Sequence, residues 1–189
     1  MNSRRIAIIA MLSALSIGTN YALLSFFNVK FMDLIVFVGG FCFGPVVGAS
    51  IGIVSWAIYG TLNPLGFSLP IWLSTMFSET IYGIGGGLVR RILISHDLSE
   101  FKNDRINIYA LFGTFGMFLT FLYDFFTNVV FGYVNGLDAL FAVVMGFVPF
   151  GIVHAFSNAL FFGLGCAPAI SIILRFVGGG NACFKRIGG

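Results

Sequence analysis

Charge is what this sequence has least of: 9% of its 189 residues are Asp, Glu, Lys or Arg, against 58% hydrophobic ones. A soluble domain carries about 25% charged residues, so this chain cannot coat a water-facing surface. The mean hydropathy of +1.00 agrees. A cytosolic globule, a nucleic-acid binder and a disordered chain are excluded together. Cysteine is scarce too: Cys42, Cys166 and Cys183 are the three present, too few and too deep in apolar text for a disulfide framework. A phosphate loop is missing. Gly85-Gly86-Gly87 lacks the following Gly-Lys-Ser/Thr and reads as the end of a helix. His96 has no neighbouring His or Cys, so neither a metal nor a cofactor is expected.

What is there is long apolar text. The length allows roughly five to seven membrane spans of about 20 residues. Arg4-Arg5 precedes Ile6–Phe27, an apolar stretch with no Ala-x-Ala cleavage pattern before Asn28, so it reads as an uncleaved first helix rather than a signal peptide. Further spans are expected over 33–43, 46–61, 70–93, 107–133 and 149–175, with breaks at Gly44-Pro45, at Asn63-Pro64-Leu65-Gly66 and in the charged stretch from Arg90 to Arg105. Charge decides whether 33–61 is one span or two. One span would leave Arg4 and Arg5 on one side of the bilayer and the other eight Lys and Arg residues on the opposite side. Two spans put nine on one side and leave Lys30 alone on the other. The positive-inside rule selects the second. The expected fold is therefore an all-α membrane protein, one domain over 1–189, with six transmembrane helices and both termini cytoplasmic.

Ionisable groups inside a bilayer are costly and mark functional sites by default. Glu79 lies nine residues past Pro70, Asp124 nine before Tyr133 and His154 five past Pro149. At 1.5 Å per residue these are depths of roughly 13, 13 and 8 Å below the outer face. Spacings of three and four align Trp72, Thr75, Glu79 and Tyr82 on one helix. They also align Thr120, Asp124 and Asn128 on the next, and Phe150, His154, Ser157 and Asn158 on the last. Two readings fit: a substrate pocket of polar groups between aromatic walls, or a hydrogen-bond network that holds the bundle together, with an Asp124–His154 pair. Trp56 and Trp72 suit either a pocket wall or the interfacial belt. Asp33, Asn63 and Asp138 read as solvated rim residues. Ala10, Ala14, Gly18 and Ala22 form a small-residue stripe on the first helix, open either to internal packing or to a partner subunit.

In order along the chain, Ala10-x-x-x-Ala14, the run Asp33…Gly39-Gly40-Phe41-Cys42-Phe43-Gly44-Pro45…Gly48…Gly52, and Pro149-Phe150…His154…Asn158 resemble the S components of energy-coupling factor (ECF) transporters. The resemblance covers nearly the whole chain. It implies a membrane-embedded subunit, multi-pass in the cell membrane, that captures a vitamin or other micronutrient for ATP-driven uptake. It also implies partners: a transmembrane coupling subunit, docking on Ala10 and Ala14, and two ABC ATPases. The pocket would lie in the outer half, with the Asn28–Phe31 region contributing. By position, Glu79, Asp124, His154, Asn158, Asn128, Tyr82 and Trp72 would bind the substrate. Two acids and a histidine would suit a cationic or donor-rich heterocycle such as thiamine. A stand-alone carrier or channel is the alternative, although carriers built from repeats show paired broken helices and a clear break occurs here only at Gly44-Pro45. An intramembrane serine protease using Ser50 and His154 is a weaker one, because those residues fall at opposite depths. No catalytic residue is expected.

Overall fold

The computed structural model describes residues 3–62, 66–95 and 105–176. The Asn63-Pro64-Leu65 part of the turn, His96, Lys102 and the basic tail with Lys185 and Arg186 lie outside the described residues. All regular structure among them is helical: α1 (Ser3–Ala22), α2 (Met32–Phe43), α3 (Pro45–Tyr59), α4 (Leu69–Ser95), α5 (Arg105–Val134), α6 (Ala139–Gly146) and α7 (Ile152–Phe176). α6 and α7 are one helix interrupted by the π-type segment Phe147–Gly151 at Pro149, which makes six helices among the described residues. Three, Ser3–Ala22, Ile106–Val134 and Ala139–Phe176, are long and apolar enough to cross a membrane, and α2 and α3 are shorter apolar ones.

The two short helices divide at Gly44, whose φ of 101° lies where an L side chain is strained. Pro45 then opens α3 at a position where its missing N–H costs nothing. α2 is buried on almost every side. Its last carbonyls are not left bare: Arg90 Nη1 donates to Phe41 O at 3.1 Å and Cys42 O at 2.8 Å. A cation at a helix C-terminus satisfies orphan acceptors and opposes the dipole's negative end.

The glycines draw α2, α3 and α4 together. A Cβ on Gly40 would strike the carbonyl of Gly83, and one on Gly83 the backbone of Gly48 and Ala49. Small residues let backbones approach and so gain dispersion contacts that lipid cannot match. The expectation that Gly85-Gly86-Gly87 closes the helix is corrected here. α4 runs on to Ser95, and Gly86 and Gly87 pack inside it against Phe37 O and Pro45.

Side-chain contacts fix the direction of each helix. α1 and α3 run parallel, with Ser13 on Ile51 O and Tyr21 on Leu62 O. α3 and α4 are antiparallel: Gly87 meets Pro45 and Gly60 meets Trp72. α4 and α5 are antiparallel through Tyr82–Thr120 and Gly85–Leu119. α5 and α7 are antiparallel, with Asp124 beside His154 and Tyr109 O beside Gly163. Hence Arg4, Arg5, Arg90, Arg91, Arg105 and Arg175 all stand at one end of the bundle, and Lys30 at the other. By the positive-inside rule the arginine end is cytoplasmic, and both the start of α1 and the end of α7 lie there.

Candidate functional site

α1 stops at Ala22, and residues 23–30 turn back over the outer end of the bundle before α2 begins. Asn28 adopts a left-handed φ of 52°, a region Asn enters more readily than most side chains. Its Nδ2 donates to Phe150 O at 2.8 Å, while Phe27 packs on the Phe150 ring at 4.6 Å. These contacts tie the segment to the interruption before α7.

Beneath it lies a polar cluster. His154 Nε2 is 2.7 Å from Asp33 Oδ2, and His154 Nδ1 is 3.0 Å from Asp124 Oδ1. An imidazole satisfies a carboxylate on each nitrogen only when both nitrogens carry hydrogen. Asn158 Nδ2 donates to Asp33 Oδ2 at 2.6 Å and to Thr120 Oγ1 at 2.7 Å. The Tyr82 hydroxyl donates to the same Thr120 oxygen at 3.0 Å. Trp56 Nε1 donates to Glu79 Oε2 at 3.0 Å, and Trp72 Nε1 donates to Trp56 O at 3.1 Å. Asp33, Glu79, His154 and Asn158 are all buried. The low dielectric around them makes each satisfied bond strong and each missing one costly.

Asp33 is the correction that matters most. It is not a solvated rim residue: it is 1% exposed and touches both His154 and Asn158. It occupies the first turn of α2, where the positive end of the helix dipole favours a carboxylate. Trp56, left open between belt and pocket, is also buried, on Glu79. Asp138 does stay exposed, and its Oδ1 caps α6 by accepting from Phe141 N at 3.0 Å.

Of the seven positions expected to meet substrate, Asp124, His154, Asn158 and Tyr82 share the network. Glu79 and Trp72 are linked to each other through Trp56. Asn128 stands apart, packed on Gly146 in a separate cavity of about 390 Å³ between α5 and α6. The protease pairing does not form. Ser50 Oγ donates to Val46 O, and both nitrogens of His154 face carboxylates.

Directly above the cluster is an outer cavity of about 400 Å³, closed on one side by residues 23–30. Asn20, Lys30, Trp56, Tyr59 and Phe150 line it; none of the seven expected positions does. Lys30 Nζ lies over the rings of Trp56 and Tyr123 at 5.4 and 5.2 Å, between this cavity and the acids. No sequence spacing pointed to Asn20, though its place one turn beyond Ser16, facing away from the alanine stripe, was a readable signal.

On α1 the two faces separate. Ile9, Leu12, Ser13, Ser16 and Asn20 are buried, while Ala10, Ala14, Gly18 and Ala22 are exposed. A Cβ on Gly18 would meet nothing within 4 Å. Internal packing therefore does not account for the small-residue stripe.

The family model for the substrate-specific component of ECF transporters matches residues 4–164. No curated protein and no solved structure matches the chain. The chain belongs to the ECF transporter substrate-specific component family, and is accordingly a membrane-embedded substrate-binding subunit of a transporter and not an enzyme.

Proposed function

We propose that this chain captures a water-soluble vitamin or related micronutrient in the outer cavity beneath residues 23–30 and delivers it to an ATP-driven import complex. The observation that carries the reading is the cavity's position. It opens at the end of the bundle that holds Lys30, opposite the six described arginines. Its volume lies in the range of about 300–1,000 Å³ that suits small-molecule ligands.

In this reading Trp56 and Lys30 form the floor that the substrate touches. Glu79, Trp72 and the Asp33–His154–Asp124 network hold that floor in place from below. Tyr82 and Asn158 belong to the same support, and Asn128 serves the neighbouring cavity. The exposed face with Ala10, Ala14 and Gly18 docks a transmembrane coupling subunit, and a pair of ABC ATPases supplies the energy.

Native mass spectrometry of the purified protein tests the capture step. The expected result is a co-purifying small molecule that is lost in Trp56→Ala. A wild-type protein free of any small molecule, and unable to bind one, would contradict the reading.

A further inference from the structure

Resting on the capture reading above, we propose that the substrate is a planar anion with an amide-type edge, its negative group held by Lys30 and its edge by Asn20. The buried acids suggest a cationic substrate at first sight, but they do not face the cavity. Asp33 and Asp124 are bonded to His154, and Glu79 to Trp56. None of the three lines the cavity wall. A cationic substrate would have to pass Lys30 to reach a carboxylate oxygen, and would be repelled by its ammonium while doing so.

Lys30 is the charged side chain on that wall. Among the described residues it forms no ion pair; both ion pairs there involve His154. Its ammonium group is held between two aromatic faces. Those faces attract a cation without neutralising it. Asp33 and Glu79 also attract it, but among the described residues neither is at ion-pair distance, so the ammonium can still pair with an anion.

Asn20 supplies the second feature. It is 4% exposed, it lines the cavity, and both its Nδ2 and Oδ1 lack partners. Buried carboxamides are normally satisfied. A ligand that presents an N–H next to a C=O, as a lactam or pyrimidinone does, would satisfy donor and acceptor at once. Around these two groups stand Trp56, Tyr59, Phe26, Phe27 and Phe150. Their flat rings favour stacking on a flat ligand.

The test uses the full chain in lipid nanodiscs and four matched probes. These are pterin-6-carboxylate, its neutral 6-hydroxymethyl and cationic 6-aminomethyl counterparts, and naphthalene-2-carboxylate, which has the charge without the edge. Binding is read from quenching of the chain's two tryptophans: Trp56, which lines the cavity, and Trp72, which is bonded to it. The carboxylate pterin is expected to bind at least about tenfold more tightly than the neutral one, and the cationic one weakest. Lys30→Met should abolish that preference and Lys30→Arg should keep it. Asn20→Leu should bring the pterin acid down to the level of the naphthalene acid.

Should Lys30→Met fail to fold, added salt replaces it, because screening must erode the carboxylate's advantage. Tighter binding of the aminomethyl probe, or a preference unchanged by Lys30→Met or by salt, overturns the inference and leaves the capture reading standing. Failure of all four probes while another small molecule co-purifies does the same. Failure of all four with nothing co-purifying counts against both.

Discussion

His154 Nε2 lies 2.7 Å from Asp33 Oδ2, a contact that spans 121 residues of chain and pins α7 to the first turn of α2. Neither residue is tolerable in a bilayer alone. Together with Asp124 and Asn158 they form a network in which the imidazole meets a carboxylate at each nitrogen and the carboxamide donates to Asp33, while Asp33 Oδ1, Asp124 Oδ2 and Asn158 Oδ1 have no partner among the described residues. Removing one partner leaves the other as an uncompensated polar group away from water. Asp33→Ala is therefore expected to destabilise the protein by about 3–5 kcal/mol. Asp33→Asn, which keeps an acceptor, should cost less. Thermal unfolding of the purified variants in detergent measures both. Combining Asp33→Ala with His154→Ala should cost less than the sum of the two single changes.

Trp56 gives the cavity floor its shape, and Glu79 fixes Trp56 by accepting its indole N–H at 3.0 Å. Glu79→Ala should free the indole and weaken substrate binding by about tenfold or more, equivalent to roughly 1.4 kcal/mol. Glu79→Gln keeps an acceptor and should retain most of the affinity. Asp124→Ala and His154→Ala should also weaken binding, by loosening the support beneath Lys30 and Trp56. Equilibrium titration of the co-purifying ligand checks all four. Each variant that folds should still assemble with the coupling subunit.

The stripe on α1 makes the reverse prediction. Ala10 and Ala14 are exposed and line up with Gly18, so Ala10→Leu or Ala14→Leu has room to fold normally. Each should block close approach of a partner helix. Co-purification with the coupling subunit is expected to fall to background, while melting temperature and ligand affinity stay at wild-type values.

Gly83 tests the packing of α2, α3 and α4. Its Cβ position is filled by the Gly48 carbonyl and the Ala49 amide, which are backbone and cannot swing aside. Gly83→Val should destabilise the bundle by about 3 kcal/mol or more, read as loss of the monodisperse peak in size-exclusion chromatography. Gly18→Ala is the control. Nothing occupies its space, and the better helix former should leave stability unchanged or raise it by up to about 1 kcal/mol.

The broad architecture was legible because charge placement and apolar length leave few solutions. Nine positives on one side and Lys30 on the other required a break at Gly44-Pro45. The structure puts the break there, with Gly44 at φ 101°. Glu79, Asp124 and His154 stood out because each interrupts an otherwise apolar helix. Asp33 was misread because it follows the polar stretch Asn28–Lys30 and looks like part of the same rim. Its burial has a physical cause that local sequence does not display. Residues 23–30 fold over it, and α2 is surrounded by neighbours along ten of its twelve residues. A helix apolar on all sides was the available clue, since its one acid had to face inward. Gly85-Gly86-Gly87 was misread for a related reason. Three glycines favour an end to an isolated helix, but here α2 and Pro45 pack so closely that other residues would clash.

Uptake measured with and without the coupling module tests the central claim most directly. The molecule that co-purifies with this chain is offered, radiolabelled, to proteoliposomes holding the chain alone or the chain with its coupling subunit and ATPases. The account predicts saturable binding by the chain alone, and accumulation inside the vesicles only when the module and internally trapped ATP are both present. Accumulation by the chain alone, driven by an ion gradient and indifferent to ATP, would contradict it.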